Sequence, residues 1–362
     1  MLIKNLELID FRNYKNCKFT YQDGINIVSG RNAQGKTNSA EAIFYLCTGY
    51  SPRATKDRQV IFYGEEKATV KGEAETRFGK VKVEIEFFKD KNKAVRINGV
   101  QVAKIGELLG NVNSVFFSPE ELKLVKESPE DRRRFMDISL SQLSKGYFYA
   151  LQKYKKILVQ RNVLLKDEQK DMIFETLPIW DEQLSAAGAK IIFKRKEFIK
   201  KLAPHAEAAH SAITGGEEEL KISLESGTDG ETEEEIKEKL FSALSERVET
   251  DIERGHTSIG PHRDDIKIKL GGVDVRIYGS QGQQRTAALS LKLAETEIFK
   301  DEFGEYPVLI LDDALSELDL SRRQRLMAAV EKMQTIITCT EPEGIPNYEK
   351  YNNIKIKNGE II

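Results

Sequence analysis

The sequence predicts an α/β fold in which a strand-and-helix domain is interrupted by a helical insertion. Three observations carry that prediction. A glycine-bounded loop, Gly30 to Thr37, stands between the strand-like Gly24-Ile25-Asn26-Ile27-Val28 and the helical spacing of Ala42, Ile43 and Leu46. Toward the other end, Val308-Leu309-Ile310-Leu311 reads as a fully buried strand. Between the two, residues 129–166, 181–203 and 231–254 place their apolar side chains at helical intervals. At about 150 residues per domain, 362 residues suffice for two structural units.

Taken in order, the alternation in Leu2 to Leu8 and in Cys17 to Tyr21 predicts two strands joined by Phe11-Arg12-Asn13-Tyr14. The third strand runs into the glycine loop, and a helix over 38–47 follows. Val81 to Phe88 and Lys93 to Ile97 form a hairpin with Asp90 and Asn92 in its turn. From Pro129 to Lys166, and again from Asp181 to Ala203 after Pro178, the spacing predicts two long helices packed as a hairpin. Gly215-Gly216 ends that pair, Leu220 to Leu224 is a short strand, and Glu231 to Arg254 is a third helix. Ile266, Ile268 and Leu270 alternate, Gly271-Gly272 turns, and Val273, Val275 and Ile277 form the answering strand. A helix over 283–299, the buried strand, a helix over 321–333 and a strand over 335–339 complete the pattern. One split domain therefore comprises 1–119 and 256–362, and the insertion comprises 120–255.

Composition narrows the class. With 40% hydrophobic and 31% charged residues the chain is globular rather than disordered. No apolar run approaches the roughly 18 residues a membrane span needs. The N-terminus carries acids early and does not resemble a signal peptide. Cys17, Cys47 and Cys339 are isolated, and the four histidines share no zinc-ligand spacing with them, which predicts free thiols in a reducing cytoplasm. The net charge of −2 conceals separated blocks.

Gly30-Arg31-Asn32-Ala33-Gln34-Gly35-Lys36-Thr37 fits G-x-x-x-x-G-K-[ST] in its required strand-to-helix setting. Backbone N–H groups of such a loop wrap a phosphate at a helix N-terminus, the lysine reaches the β- and γ-oxygens, and the threonine hydroxyl binds Mg²⁺. The buried strand ending in Asp312-Asp313 supplies the second half. Asp312 would hold Mg²⁺ through water, and Asp313 would orient or deprotonate an attacking water. Tyr278-Gly279-Ser280-Gln281-Gly282-Gln283-Gln284-Arg285 lies directly before a helix, so it is either a simple capped start or an anion site at the positive end of the helix dipole. Since the chain's own loop already serves its own nucleotide, a second anion site is most useful facing a nucleotide held by another subunit.

These motifs, with Asp10 to Tyr14, Phe117 to Leu122, Ser128 to Phe135, Gly260 to Asp265 and Leu311 to Asp319, resemble the ABC-type ATPases of the structural-maintenance-of-chromosomes class. More narrowly, they resemble the RecF family of bacterial recombination mediators, over nearly the whole chain. The resemblance implies an ABC-type P-loop ATPase head split into two lobes by a helical arm, with two ATP molecules held in a head-to-head homodimer. It further implies that Lys36 and Thr37 act in cis, that Ser280 and Gln283 contact the partner's γ-phosphate, and that Asp319 lies at the dimer seam. Arg12, Asn13 and Arg53 match positions near the nucleotide, Arg53 with a surface role as its alternative. The implied role is recombinational repair at gapped DNA with RecO and RecR, with links to replication and the SOS response.

Two departures from the ABC pattern predict slow hydrolysis. Asp313 stands where a glutamate is usual, shorter by roughly 1.5 Å of reach. Thr338-Cys339-Thr340 stands where a sensor histidine is expected. No Gln-loop glutamine is evident either, and Ser118 to Glu121 occupies about that position.

Residues 131–161 carry eight bases and two acids, residues 190–201 six and one, and residues 217–239 three bases against ten acids. The basic blocks are either solvated helix faces or a track for a DNA backbone, read without sequence preference. Arg132, Arg133 and Arg134 point about 100° apart and cannot all face one ligand. The acidic helix is expected to face solvent. His262 is expected to position a turn rather than act as a base. The rival readings are a transporter ATPase subunit, a short chromosome-structural protein and a P-loop small-molecule kinase. The missing histidine and the arm oppose the first. The second normally has hundreds of coiled-coil residues between loop and signature, where only 244 positions separate Lys36 from Ser280 here. The third has no use for Ser280.

Overall fold

The computed structural model describes residues 1–167, 170–316 and 318–362; Glu317, in the Leu311-to-Asp319 block, lies outside the described residues. Two compact units emerge: Met1–Leu122 with His205–Glu219 and Gly279–Ile362, and Lys123–Pro204 with Leu220–Tyr278. Relative to the expected boundaries, residues 205–219 join the first unit and 256–278 the second.

The first unit opens with β1 (Leu2–Phe11), β2 (Tyr14–Thr20), β3 (Ile25–Ser29), α1 (Lys36–Thr48), β4 (Lys67–Thr76), β5 (Gly79–Phe88), β6 (Ala94–Ile97), β7 (Val100–Gln101) and β8 (Ser114–Phe117). The second unit supplies α2 (Lys123–Lys126), α3 (Pro129–Leu143) and α4 (Lys145–Leu164). Next come α5 (Lys170–Thr214), whose last turns belong to the first unit, β9 (Leu220–Glu225), α6 (Glu233–Glu246), α7 (Val248–Arg254), β10 (Asp265–Leu270), β11 (Val273–Asp274) and α8 (Val275–Tyr278). The chain completes the first unit with α9 (Gln281–Phe303), β12 (Val308–Asp312), α10 (Leu320–Val330), β13 (Thr335–Cys339), β14 (Asn352–Lys357) and β15 (Glu360–Ile361).

In the first unit an antiparallel sheet, β2-β1-β4-β5-β6-β7, and a second sheet, β15-β14-β3-β13-β12-β8, enclose α1. The strands from β14 to β8 in the second sheet run parallel. Covered on both faces, β3, β12 and β13 are buried at every position, which is why they read as continuous apolar runs. The same two-sided burial explains the small and apolar residues all round α1, where Ser39, Ala40, Ala42 and Ile43 have no exposed surface.

In the second unit the helical periodicity was right and the element ends were not. The stretch 129–166 divides at Ser144, whose side chain accepts the Tyr147 N–H and caps α4. The predicted 231–254 helix divides at Arg247. By contrast α5 runs through Pro178, after which a helix over Asp181 to Ala203 was expected, and on through Pro204. The strand expected over Val273 to Ile277 stops at Asp274, whose carboxylate accepts the Arg276 N–H and starts the turn of α8. That winding leaves Ile277 and Tyr278 exposed and buries Val275. Strands β9 and β10 pair antiparallel from Leu220↔Leu270 to Glu225↔Asp265, so the inserted unit contains a three-stranded sheet as well as helices.

Two buried arginines hold this second unit together. Arg161 donates to Asp181 (2.6 Å), Asp251 (2.7 Å) and the Thr257 hydroxyl (2.9 Å). Arg195 donates to Asp137, Asp264, the Pro261 carbonyl and the Tyr147 hydroxyl. Truncating either would leave buried carboxylates without their counter-ion, at a cost of about 3–5 kcal/mol. Nearby, His262 is half-buried, with Nδ1 2.6 Å from the Tyr154 hydroxyl and Nε2 3.0 Å from the Thr257 carbonyl. Burial pushes its pKa down to about 4. A neutral ring fixed at both nitrogens is a turn support, as expected.

Candidate functional site

The parallel register brings the chemistry to one end of the sheet. Asp312 stands opposite Thr338, Thr338 opposite Val28 and Cys339 opposite Ser29, so β3, β13 and β12 end together where the 30–37 loop begins. Gly30 (φ +155°) passes so close to β14 that any Cβ would collide with the Ile356 carbonyl. Gly35 (φ +117°) would direct a Cβ to within 2.7 Å of the Tyr14 hydroxyl, which donates to the Gly35 carbonyl at 2.8 Å. The two fixed positions of the motif are thus demanded by backbone shape.

Within the loop, the Lys36 ammonium donates to the carbonyls of Gly30 (2.7 Å) and Arg31 (3.0 Å). Burial lowers its pKa, opposed by the charges of Asp313, Cys339 and Asp312. Thr37 donates its hydroxyl to Asp312 Oδ1 at 2.9 Å, and Thr338 donates to the same oxygen at 2.6 Å. Asp312 is only 4% exposed, and burial raises its pKa against the pull of those two hydroxyls. A neighbouring dication would remove that penalty. Thr37 and Asp312 are hard oxygen donors and therefore suit Mg²⁺, which binds through one or two protein oxygens plus substrate phosphates. Among the described residues, no group of three or more His, Cys, Asp or Glu side chains could hold a metal.

Asp313 is exposed and has φ +50°, with its N–H donating to the Thr338 carbonyl (3.2 Å) and hydroxyl (3.1 Å). In this way Thr338, at the position where a sensor histidine was expected, fixes both aspartates. Cys339 contributes its carbonyl to the Gly30 N–H (3.3 Å), and its thiol is buried with a pKa pushed up to about 12.

The three residues expected near the nucleotide surround the loop, mostly through protein partners. Asn13 donates to the Gln34 carbonyl (2.9 Å) and accepts from Asn38 (2.8 Å), which in turn accepts from Arg53 Nη1 (3.3 Å). Arg12 (φ +56°) makes a two-pronged pair with the buried Glu41 of α1 at 2.7 and 2.9 Å and donates to the Gln59 carbonyl. Ser51 also donates to Glu41. Arg12 therefore braces α1, and Arg53 and Asn13 border the loop. The sequence assigns no role to the anchors Glu41 and Asn38; both lie in α1, and neither has a motif of its own. Arg31, Asn32 and Ala33 form the exposed or half-open crest.

Ser280 caps α9. Its hydroxyl accepts the Gln283 N–H (3.3 Å), and Gln283 Oε1 accepts the Ser280 N–H (2.8 Å), a reciprocal capping box. Gln283 Nε2 donates to Glu218 at 2.7 Å. Asp319 caps α10 by accepting the Arg322 N–H at 2.9 Å. Following β8, Ser118 to Glu121 contains no glutamine; Glu121 instead pairs with the buried Lys292 of α9 at 3.3 Å.

Comparison with known proteins follows this geometry closely. The model of the RecF/RecN/SMC N-terminal domain matches residues 2–362. The DNA replication and repair proteins RecF of Clostridium acetobutylicum and Clostridium tetani are each 44% identical over 100% of this chain, covering 99% and 100% of their own lengths. The chain belongs to the RecF family. A solved structure of the recombination mediator protein RecF-ATPrS in the RecFOR pathway superposes with a TM-score of 0.90 at 37% identity, over 99% of this chain and 97% of that one. Its RecF-ATP counterpart gives 0.89 at 36%. An SMC head bound to the C-winged helix domain of ScpA shares the fold alone, with a TM-score of 0.58 and 16% identity. The RecF fold is therefore the mixed α/β ATPase-head architecture expected. Among the described residues no helix is long and apolar enough to cross a membrane.

Proposed function

We propose that this RecF-family chain is an ATP-switched DNA-binding protein of recombinational repair, acting as a homodimer with RecO and RecR to help load recombinase onto single-stranded DNA. The observation that carries the nucleotide half is the 2.9 Å contact between Thr37 and Asp312, 275 positions apart, beside a loop whose lysine is already folded inward. RecF structures described with ATP and ATPrS support the ligand.

In this reading the 30–37 loop cradles the phosphates in cis, Lys36 exchanges its loop carbonyls for phosphate oxygens, and Thr37 and Asp312 hold Mg²⁺. The ion supplies charge neutralisation on the phosphates when bound. Asp313, held rigidly by Thr338, takes the proton of the attacking water. Ser280 and Gln283, at the positive end of the α9 dipole, complete the partner's site. Hydrolysis is slow because Asp313 is short and no histidine follows β13, so ATP acts as a switch.

For DNA, the structure thins the basic blocks. Arg132 is buried against Asp265, Arg161 and Arg195 are internal, and Lys194 and Lys196 pair with Glu197 and Asp229. Lys145, Lys153, Lys155 and Lys156 stay outward on α4, the last three around the buried Tyr154 and Ile157. These three are the proposed phosphate contacts.

The deciding experiment mixes two inactive variants. Lys36→Met removes the cis contact and Ser280→Arg blocks the trans one. A mixed dimer should regain one intact composite site and partial ATPase activity; a mixture as inactive as its components would refute the shared site.

A further inference from the structure

The side chain of Gln283 is engaged at both its oxygen and its nitrogen within its own chain. Its Oε1 accepts the Ser280 N–H at 2.8 Å, which fixes the orientation of the amide, since only the oxygen can accept. Nε2 therefore faces outward from the capping box, and it donates to Glu218 Oε1 at 2.7 Å. Glu218 is itself held. Its second oxygen lies 3.3 Å from Nε2 of the fully buried His210, whose Nδ1 lies 3.1 Å from the Ser290 hydroxyl of α9. The backbone leading to Glu218 is equally defined. Gly215 and Gly216, both at positive φ, donate to the Ser211 carbonyl to close α5, and Arg325 of α10 donates to the Ile213 carbonyl at 3.1 Å. All of these residues belong to the first unit.

A carboxylate and a phosphate oxygen ask for the same thing, an N–H donor. Resting on the trans-site reading above, the Gln283 nitrogen that would meet the partner's γ-phosphate already donates one of its two N–H groups to Glu218. We infer that Glu218 is an intramolecular stand-in for that phosphate, a gate that keeps the signature turn satisfied in the single chain and must be exchanged when two chains close on ATP. The exchange makes closure conditional on a γ-phosphate strong enough to displace a carboxylate, and it places a negative charge beside the site until displacement occurs. Of the acids in Glu217-Glu218-Glu219, Glu218 alone has this contact with Gln283.

The test measures the monomer–dimer constant by sedimentation at saturating ATP, with cis nucleotide affinity measured alongside on dilute protein. Glu218→Ala should tighten the dimer by about tenfold, the scale of one charge-assisted hydrogen bond, with cis affinity unchanged. Glu218→Gln should give a smaller gain. In a Gln283→Ala background the Glu218 substitution should have no effect. Thermal melting of each variant tests for misfolding, and the expected tighter dimer cannot arise from an unfolded chain. An unchanged or weaker dimer in a folded Glu218→Ala would overturn the gate. Ser280→Arg in the same assay separates the two ideas: if it dimerises like the parent, the trans site itself is wrong, whereas if it fails to dimerise while Glu218→Ala matches the parent, only the gate is wrong.

Discussion

The two halves of the proposed composite site are held in different ways. The 30–37 loop is fixed by backbone: glycines that admit no side chain, strand ends in register and a buried carboxylate that two hydroxyls share. The signature turn is fixed by exposed or half-exposed side chains, Ser280, Gln283 and Glu218, each of which can find another partner. In the proposed site, cis binding is thus built as a template and trans binding as an exchange. Substitutions should therefore damage the first half outright and tune the second.

The largest effect should come from Asp312→Asn. Asparagine still accepts from Thr37 and Thr338 but cannot serve the dication, so Mg²⁺-dependent ATP binding measured by calorimetry should fall by about a hundredfold, the scale for loss of a charged ligand contact. The nucleotide-free protein should meanwhile melt higher. Asp312 has a raised pKa, so its ionisation opposes folding, and stability from this group declines as pH rises through the ordinary carboxylate range. A lower melting temperature would contradict that burden.

Next in size, Asp313→Asn should retain ATP binding and dimerisation while turnover drops to background; unchanged hydrolysis would remove Asp313 as the base. The helical unit offers a contrast with the site, since its ionisable groups serve cohesion. His262 is held neutral, so unfolding is favoured as pH falls from about 6.5 toward its folded value of about 4, a window worth on the order of 3 kcal/mol. His262→Gln should flatten the pH dependence of denaturant midpoints in that window. An unaltered slope would mean that another group dominates acid unfolding.

The smallest and most conditional effect concerns DNA. Reversing charge at Lys153, Lys155 and Lys156 should leave melting and ATPase activity unchanged, weaken duplex binding with ATP present and reduce the salt slope by about 3. A slope equal to the parent's would take these three lysines off the DNA path.

How far the sequence could be read follows from how local each cause was. Lys36, Thr37 and the Ser280–Gln283 pair were legible because the loop and the capping box are short-range devices. Asp312 was legible because two-sided burial prints an apolar run before it. Glu218 was not, because it lies 65 positions from Gln283 and only the fold brings them together. Strands β4 and β8 went unread for related reasons. The first carries Gly72 where Leu46 leaves no room for a Cβ, and the second is only four residues long. The expected strand at Val275 and Ile277 failed because two apolar residues at even spacing fit one helical turn as well when Asp274 caps it.

The inward fold of Lys36 bears on how such a switch resets. With Gly30 and Arg31 accepting from it, the Lys36 ammonium has hydrogen-bond partners within its own loop. On the proposed reading, departure of a spent nucleotide would let the ammonium trade phosphate oxygens for these carbonyls. On the proposed cycle, product release would cost the ammonium no hydrogen bond, and chemistry at Asp313 rather than the grip of the loop would set the time spent closed.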